Sequence, residues 1–361
     1  MSSSSLMRVM LVVSMSLLAA CGGRMARTGD DAGTVEGEYA SRNLGFTLRR
    51  NLTVTDAVTG RVLPLLYREP AGAGPFPVVV WSHGGGFLQN GHEQSSEWGS
   101  VFAKHGYLVI HIAHVPPTTA TSMALCTRGN VPANECVAMS NDDDSTGLLA
   151  LAKTGDVVAV LDALSTLSAQ NVDAGGPAMD LSKVAVAGWS AGSRAPVVTH
   201  GATIRPTPSA PVFSLASTRA IAAIALSPTG PPVGGFFDTG GMNSWSAMRG
   251  PVLMMTGQND AKPSQPLLTG PVRRLAFEKQ PADGSRWLLY STLPVGVGGH
   301  DSFNLGDASS SDVRLRKLSR ALESAARAFL DAHVKNDAAA RAWLDSDSAR
   351  VLADEAEWVK R

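Results

Sequence analysis

An excess of charge of either sign is missing from this chain: 31 Lys and Arg stand against 31 Asp and Glu in 361 residues. A balanced chain gives no electrostatic reason to bind nucleic acid, and it offers no polybasic stretch for a membrane surface. Cysteine is scarce, with three in all. No Cys or His cluster lies near them to complete a metal site, and no metal or organic cofactor is expected. No period of 20 to 50 residues recurs, which excludes a repeat array. The apolar run at the N-terminus, Val9 to Ala20, is too short to span a bilayer as a mature helix. What is plentiful is Gly, at 36, and Pro, at 21. Those residues imply many turns and long loops rather than a helical bundle. The length suffices for one large α/β domain with an ample core.

A single basic residue, Arg8, precedes that apolar run, and it ends in Leu18-Ala19-Ala20-Cys21. Small residues just before a cysteine resemble the lipobox of bacterial lipoproteins. The resemblance implies a signal peptide over 1–20, cut before Cys21, and acylation of Cys21. The protein would then sit on a membrane of the bacterial cell envelope, at its periplasmic or outer-membrane face. The polar, Gly-rich stretch 21–43 reads as a flexible tether. In that oxidising compartment Cys126 and Cys136, ten apart in "CTRGNVPANEC", are expected to close a local loop as a disulfide.

Residues 44–361 read as a single domain. Alternation on both sides of Asp56–Gly60 predicts an antiparallel entry hairpin over Gly45 to Pro70. The β-branched run in "PFPVVVWS" predicts a strand covered on both faces, and a helix is expected around Glu93 to His105. "GYLVIHIAHV", "KVAVAG", "AIAAIAL", "PVLMMTG" and "SRWLLYSTLP" read as further strands. Helical spacing runs through Val157, Val160, Leu161 and Leu164, and again over Asp312 to Lys335. Residues 115–147 form a polar excursion closed by the cysteine pair. Its Asp142, Asp143 and Asp144 read as a solvated loop rather than a cation site, since no EF-hand pattern accompanies them. A second outer helix is expected over Asp337 to Lys360. Strands alternating with helices imply a mostly parallel sheet with helices on its faces, and a site at the carboxyl ends of its strands.

Four stretches carry the chemistry. Gly188-Trp189-Ser190-Ala191-Gly192 follows "KVAVAG" directly, which puts Ser190 on a tight strand-to-helix turn where Gly188 and Gly192 let the backbone pass close to its neighbours. The pentapeptide alone is weak evidence, because about a third of a chance match is expected at this composition. His83-Gly84-Gly85-Gly86 follows "PVVVWS" and suits an oxyanion hole built from backbone N–H groups. Gly85 and Ala191 are the expected donors, with Gly84 or Gly86 as substitutes for Gly85. Asp260, after "PVLMMTG", is placed to orient a histidine, and His300 in "VGVGGHDSF" to act as general base. His105, His111, His114, His200 and His333 fit that role less well by position. The loop 227–249 is the expected pocket segment. Phe236, Phe237, Trp245 and Met248, with Trp189, either line an apolar cleft or pack as ordinary core; the sequence leaves both open.

The chain order Ser190, Asp260, His300, with a glycine-rich hole upstream, belongs to the α/β-hydrolase fold. Over residues 45 to 335, "PFPVVVWSHGGG", "GDVVAVLDAL", "DLSKVAVAGWSAG", "PVLMMTGQNDAKP" and "GGHDSF" resemble the predicted dienelactone hydrolases. The platelet-activating-factor acetylhydrolase-like esterases and bacterial polyester hydrolases share the layout. The resemblance implies a serine esterase with Ser190, Asp260 and His300 as its triad, acting on a small or polymeric ester without a cofactor. The sequence departs from the family at the nucleophile, which is cysteine in true dienelactone hydrolases. It departs again at Trp189, where relatives often carry His, and Arg194 follows shortly after. An acyltransferase or peptidase on the same fold, or a catalytically silent surface lipoprotein, are the competing functions.

Overall fold

A computed structural model describes residues 36–141, 146–231, 236–238, 243–262 and 264–361. Cys21, the signal segment and Asp142 to Asp144 lie outside the described residues. Nine strands form one sheet in the order β1-β2-β4-β3-β5-β6-β7-β8-β9. The entry hairpin is present as β1 (Phe46–Thr55) and β2 (Val62–Pro70), paired antiparallel. Six strands run parallel in the middle: β3 (Phe76–Ser82), β4 (Leu108–Ile112), β5 (Met179–Trp189), β6 (Ala222–Leu226), β7 (Val252–Gly257) and β8 (Arg286–Ser291). β9 (Ala356–Lys360) closes the far edge antiparallel to β8.

The parallel strands are apolar throughout because both faces are covered. Successive residues serve opposite layers. Ala185, Ala187, Ile224 and Leu226 join the core beneath α1 (Ser96–Lys104) and α7 (Val313–Val334), while Val184, Val186, Ala223 and Ala225 face the other side. That opposite layer holds α4 (Thr146–Asp173), α5 (Arg194–Thr199) and α6 (Gly270–Glu278). The chain leaves β3 for β4 on one side and then crosses back to β5 on the other. The reversal makes β3/β5 the topological switch point, where a crevice opens at the strand ends.

Three expectations need correction. The excursion 115–147 is not an irregular loop: it holds α2 (Thr119–Arg128), opened by a Thr118–Thr121 capping box, and α3 (Ala133–Ser140). Its loop-forming Gly129, Asn130 and Pro132 occupy only the connection, where Asn130 takes φ +51°. Cys126 and Cys136 do pair, joining the two helices. The expected outer helix over 337–360 is α8 (Ala338–Leu344), α9 (Ser348–Ala353) and then β9. Adjacent Trp358 and Val359 pack into different cores on opposite sheet faces, a period of two that resembles one helical turn in so short a run. Finally, the tether does not run to residue 43. Trp343 Nε1 donates to Gly37 O at 2.8 Å, Arg327 Nη2 to Tyr39 O at 2.9 Å, and Leu44 N to Lys104 O at 2.8 Å.

Candidate active site

Strand β5 ends at Trp189, and the next residue enters a 3-10 turn, Ser190–Ser193. Ser190 has φ +55°, a left-handed conformation that costs a non-glycine residue about 1–3 kcal/mol and is held only where neighbours enforce it. They do so by contact. A Cβ on Gly192 would lie 2.1 Å from the Ser82 carbonyl oxygen, and one on Gly188 would lie 2.4 Å from that of Gly192. The turn is therefore pressed against the end of β3.

His300 begins another 3-10 turn after β8, and Asp260 lies three residues beyond β7. The structure brings all three expected residues together. His300 Nε2 is 2.7 Å from Ser190 Oγ, and His300 Nδ1 is 2.6 Å from Asp260 Oδ1. The carboxylate only accepts, so Nδ1 carries the proton and Nε2 accepts from the serine hydroxyl. Asp260 is fully buried. Its Oδ2 accepts from Thr256 Oγ1 at 2.7 Å, and Arg273 Nε lies 3.1 Å from Oδ1. Arg273 is braced in turn by donating to the Ser227 and Pro228 carbonyls at 2.8 and 3.1 Å. Thr256 and Arg273 went unnoticed in the sequence, where neither has a motif. Burial lowers the His300 pKa below the ordinary imidazole value. The Asp260 hydrogen bond and charge oppose that shift, and the charges of Arg273 and Lys262 add to it. The ring is a neutral base at pH 7.

The glycine-rich segment meets this cluster across the switch point. Gly85 and Gly86 border the same cavity of about 250 Å³ as Ser190 and Ala191. Gly84 packs on the indole of Trp189, where a Cβ would come within 2.4 Å. Gly85 has φ +69°, open to glycine and strained for other residues. His83 is buried, and its Nδ1 is 2.6 Å from Gly84 O. That nitrogen therefore donates, leaving Nε2 to accept the His114 N–H at 3.4 Å. Burial, with the nearby Lys153 charge, holds the ring neutral, its pKa down to about 2. The Gly84 C=O and Gly85 N–H belong to one planar trans peptide and point in opposite directions. By holding the carbonyl, His83 fixes where that amide points.

The aromatic candidates resolve into packing. Phe236, Phe237 and Trp245 are completely buried in the core, with Met248 beside them, and none borders the cavity. Trp189 is buried as well; its ring centroid lies 5.0 Å from that of His300, and its Nε1 donates to His300 O at 3.4 Å. It supports the base rather than lining a cleft. The walls are instead Phe87, Leu149 and Leu268 with three cations, Arg194, Lys262 and Arg273. Arg194 is buried on the face of Phe236, 4.6 Å from the ring centroid, and its Nε and Nη1 have no partner among the described residues. Burial and the Arg273 charge bring its pKa down to about 10, so it is still charged at neutral pH.

A second set repeats the connectivity of the first: Ser82 Oγ is 2.8 Å from His114 Nε2, and His114 Nδ1 is 2.9 Å from Asp156 Oδ2. All three are completely buried and none borders the cavity, so exposure separates the pair of Ser-His-Asp sets. No group of three or more His, Cys, Asp or Glu among the described residues is arranged to hold a metal ion. No protein-family model matches the chain, and no curated protein matches it.

Proposed function

We propose that this chain is a serine hydrolase of the α/β-hydrolase fold that cleaves carboxylic esters through an acyl-enzyme intermediate. The observation that carries the reading is the hydrogen-bonded series Ser190–His300–Asp260 opening on a cavity shared with Gly85 and Ala191. His300 Nε2 takes the Ser190 proton as Oγ attacks the ester carbonyl carbon. The carbonyl oxygen becomes an anion facing the Gly85 and Ala191 amides. As the tetrahedral state collapses, the C–O bond to the alcohol breaks, and His300 returns the proton to the departing oxygen. Water then repeats the sequence on the acyl-serine, releasing the acid. Asp260 holds the tautomer and stabilises the imidazolium throughout.

The test is fluorophosphonate labelling and p-nitrophenyl ester turnover by the wild type and by Ser190→Ala. Turnover should fall by at least a thousandfold, with labelling lost; undiminished turnover by Ser190→Ala removes the reading. Product analysis with added alcohol separates hydrolysis from acyl transfer. A silent binding lipoprotein, for which a matched nucleophile, base and acid have no use, would leave the wild type unlabelled.

The envelope location follows from the lipobox resemblance at Cys21 and is supported by the Cys126–Cys136 disulfide, a bond that persists in oxidising compartments. Among the described residues no helix is long and apolar enough to cross a membrane. Radiolabelled palmitate should enter the wild type and not Cys21→Ser.

A further inference from the structure

The buried polar groups behind the glycine loop form a closed circuit. Lys153 Nζ, on α4, donates to the His83 carbonyl at 2.8 Å. One helical turn on, Asp156 Oδ2 accepts from Arg61 Nη2 at 3.2 Å and from His114 Nδ1 at 2.9 Å. His114 is anchored by Ser82 through Nε2, and its backbone N–H returns to the His83 ring. Lys153, Asp156, His114 and Ser82 are completely buried, and none borders the cavity. Burying a lysine and a carboxylate costs stability relative to apolar packing of the same volume. The circuit reaches the site along the segment Ser82–Gly84, at the end of β3.

That place is where the two halves of the anion-binding niche meet. The His83 carbonyl that accepts from Lys153 also faces the nucleophile turn: a Cβ on Gly192 would lie 2.5 Å from it. The His83 carbonyl, beside that of Ser82, thus both holds the loop bearing Gly85 and packs against the turn bearing Ala191. Glycine loses more backbone freedom on ordering than any other residue, so Gly84–Gly86 need such an external hold. Donors must be in place before charge develops if they are to lower the barrier.

We propose that Lys153 is a positioning residue of the oxyanion hole, holding the Gly85 and Ala191 amides at a fixed separation through the His83 carbonyl. The inference rests on the serine-hydrolase reading, and fluorophosphonate labelling of the wild type tests that reading separately. Lys153→Met keeps most of the unbranched stem and removes the donor. It should lower kcat/KM for p-nitrophenyl acetate by about ten- to a hundredfold, mostly in kcat. The inhibition constant of benzeneboronic acid, which forms a tetrahedral anion on serine, should rise by the same factor. The acid limb of the pH profile should stay in place, because the His300–Asp260 pair is untouched. Lys153→Gln, which keeps an N–H donor at nearly that reach, should recover most of the loss. Wild-type kcat/KM in folded Lys153→Met overturns the proposal, as does boronate affinity that stays constant while kcat falls. If Lys153→Met does not fold, Lys153→Gln decides: near wild-type kcat supports the donor role, and a loss above tenfold at unchanged Tm overturns it.

Discussion

His300 is a base whose surroundings oppose its protonation. Burial, Arg273 and Lys262 lower its pKa below the ordinary imidazole value, and only Asp260 opposes them. The proposed mechanism requires the neutral ring, so kcat/KM should be full at pH 7 and fall only below the ordinary imidazole range. Lys262→Met removes one of the opposing charges, so the ring should hold its proton to a higher pH, moving the acid limb upward. A pH–rate profile that stays fixed or moves down in this variant contradicts the electrostatic account. The same cations set a field in the cavity. Arg194 is buried without an ionic partner among the described residues, Lys262 and Arg273 stand around it, and among the described residues no acidic side chain borders the cavity. An ester with a carboxylate on its acyl arm should therefore be preferred over an uncharged one of equal length. A hydrogen bond to a charged group contributes about 1.5–3 kcal/mol, which is tenfold or more. Arg194→Met should reduce the kcat/KM ratio of p-nitrophenyl hemisuccinate to p-nitrophenyl butyrate by that factor; an unchanged ratio would show that the guanidinium does not meet the substrate.

At the scale of elements, the parts legible in the sequence were those with a strong local signal. The strand at "PFPVVVWS" and the turn after "KVAVAG" could be read because continuous β-branched runs and small residues at a tight turn have one physical use. Asp260 and His300 could be placed because each follows a strand. In the sequence, only the second half of the helix through Val157 carries a clear helical period. Lys153-Thr154-Gly155-Asp156 interrupts the apolar pattern, and nothing local shows that Lys153 and Asp156 are buried and matched by Arg61, His83 and His114 from distant segments. Arg273 is hidden for the same reason, since an arginine in sequence looks like solvent-facing charge, whereas Arg194 stands out through its place just after the nucleophile. In 115–147 polar composition concealed two helices whose stability comes from packing and from the disulfide. The Cys126–Cys136 bond joins positions 10 apart, and a loop of that size should contribute about 2–3 kcal/mol by restricting the unfolded chain. The double variant Cys126→Ala/Cys136→Ala should lose a few degrees of Tm while keeping its kcat, since neither cysteine borders the cavity. A Tm equal to that of the wild type would mean that α2 and α3 hold each other without it.

Across the whole molecule, β9 completes the sheet beside the strands that carry the candidate site. β8 supplies the strand that leads into the His300 loop, and Asn259 Nδ2 holds that loop by donating to the Leu293, Pro294 and Val297 carbonyls at 2.9, 2.7 and 2.9 Å. On its outer side β8 is covered by β9 alone, with Trp287↔Lys360 through Ser291↔Ala356 in register. Trp358 Nε1 donates to Leu344 O at 2.9 Å, and Glu357 pairs with Arg274 at 2.7 Å, so the strand also ties α8 and α6 to the edge. Ending the chain at Asp354 removes these bonds together and leaves Trp287, Leu289 and Tyr290 next to unpaired backbone. A long apolar edge of this kind recruits other strands. Lost ladder hydrogen bonds at about 1 kcal/mol each, with the buried area of Trp358 and Val359 in addition, place the cost at several kcal/mol, more than the disulfide contributes. The truncated chain should have a clearly lower Tm than the disulfide-free variant, should self-associate in light scattering as it is concentrated, and should lose ester turnover at temperatures where the full chain still works. A monomeric truncated protein with unchanged Tm and turnover would show that β8 is stable as an edge and that the His300 loop does not depend on its cover.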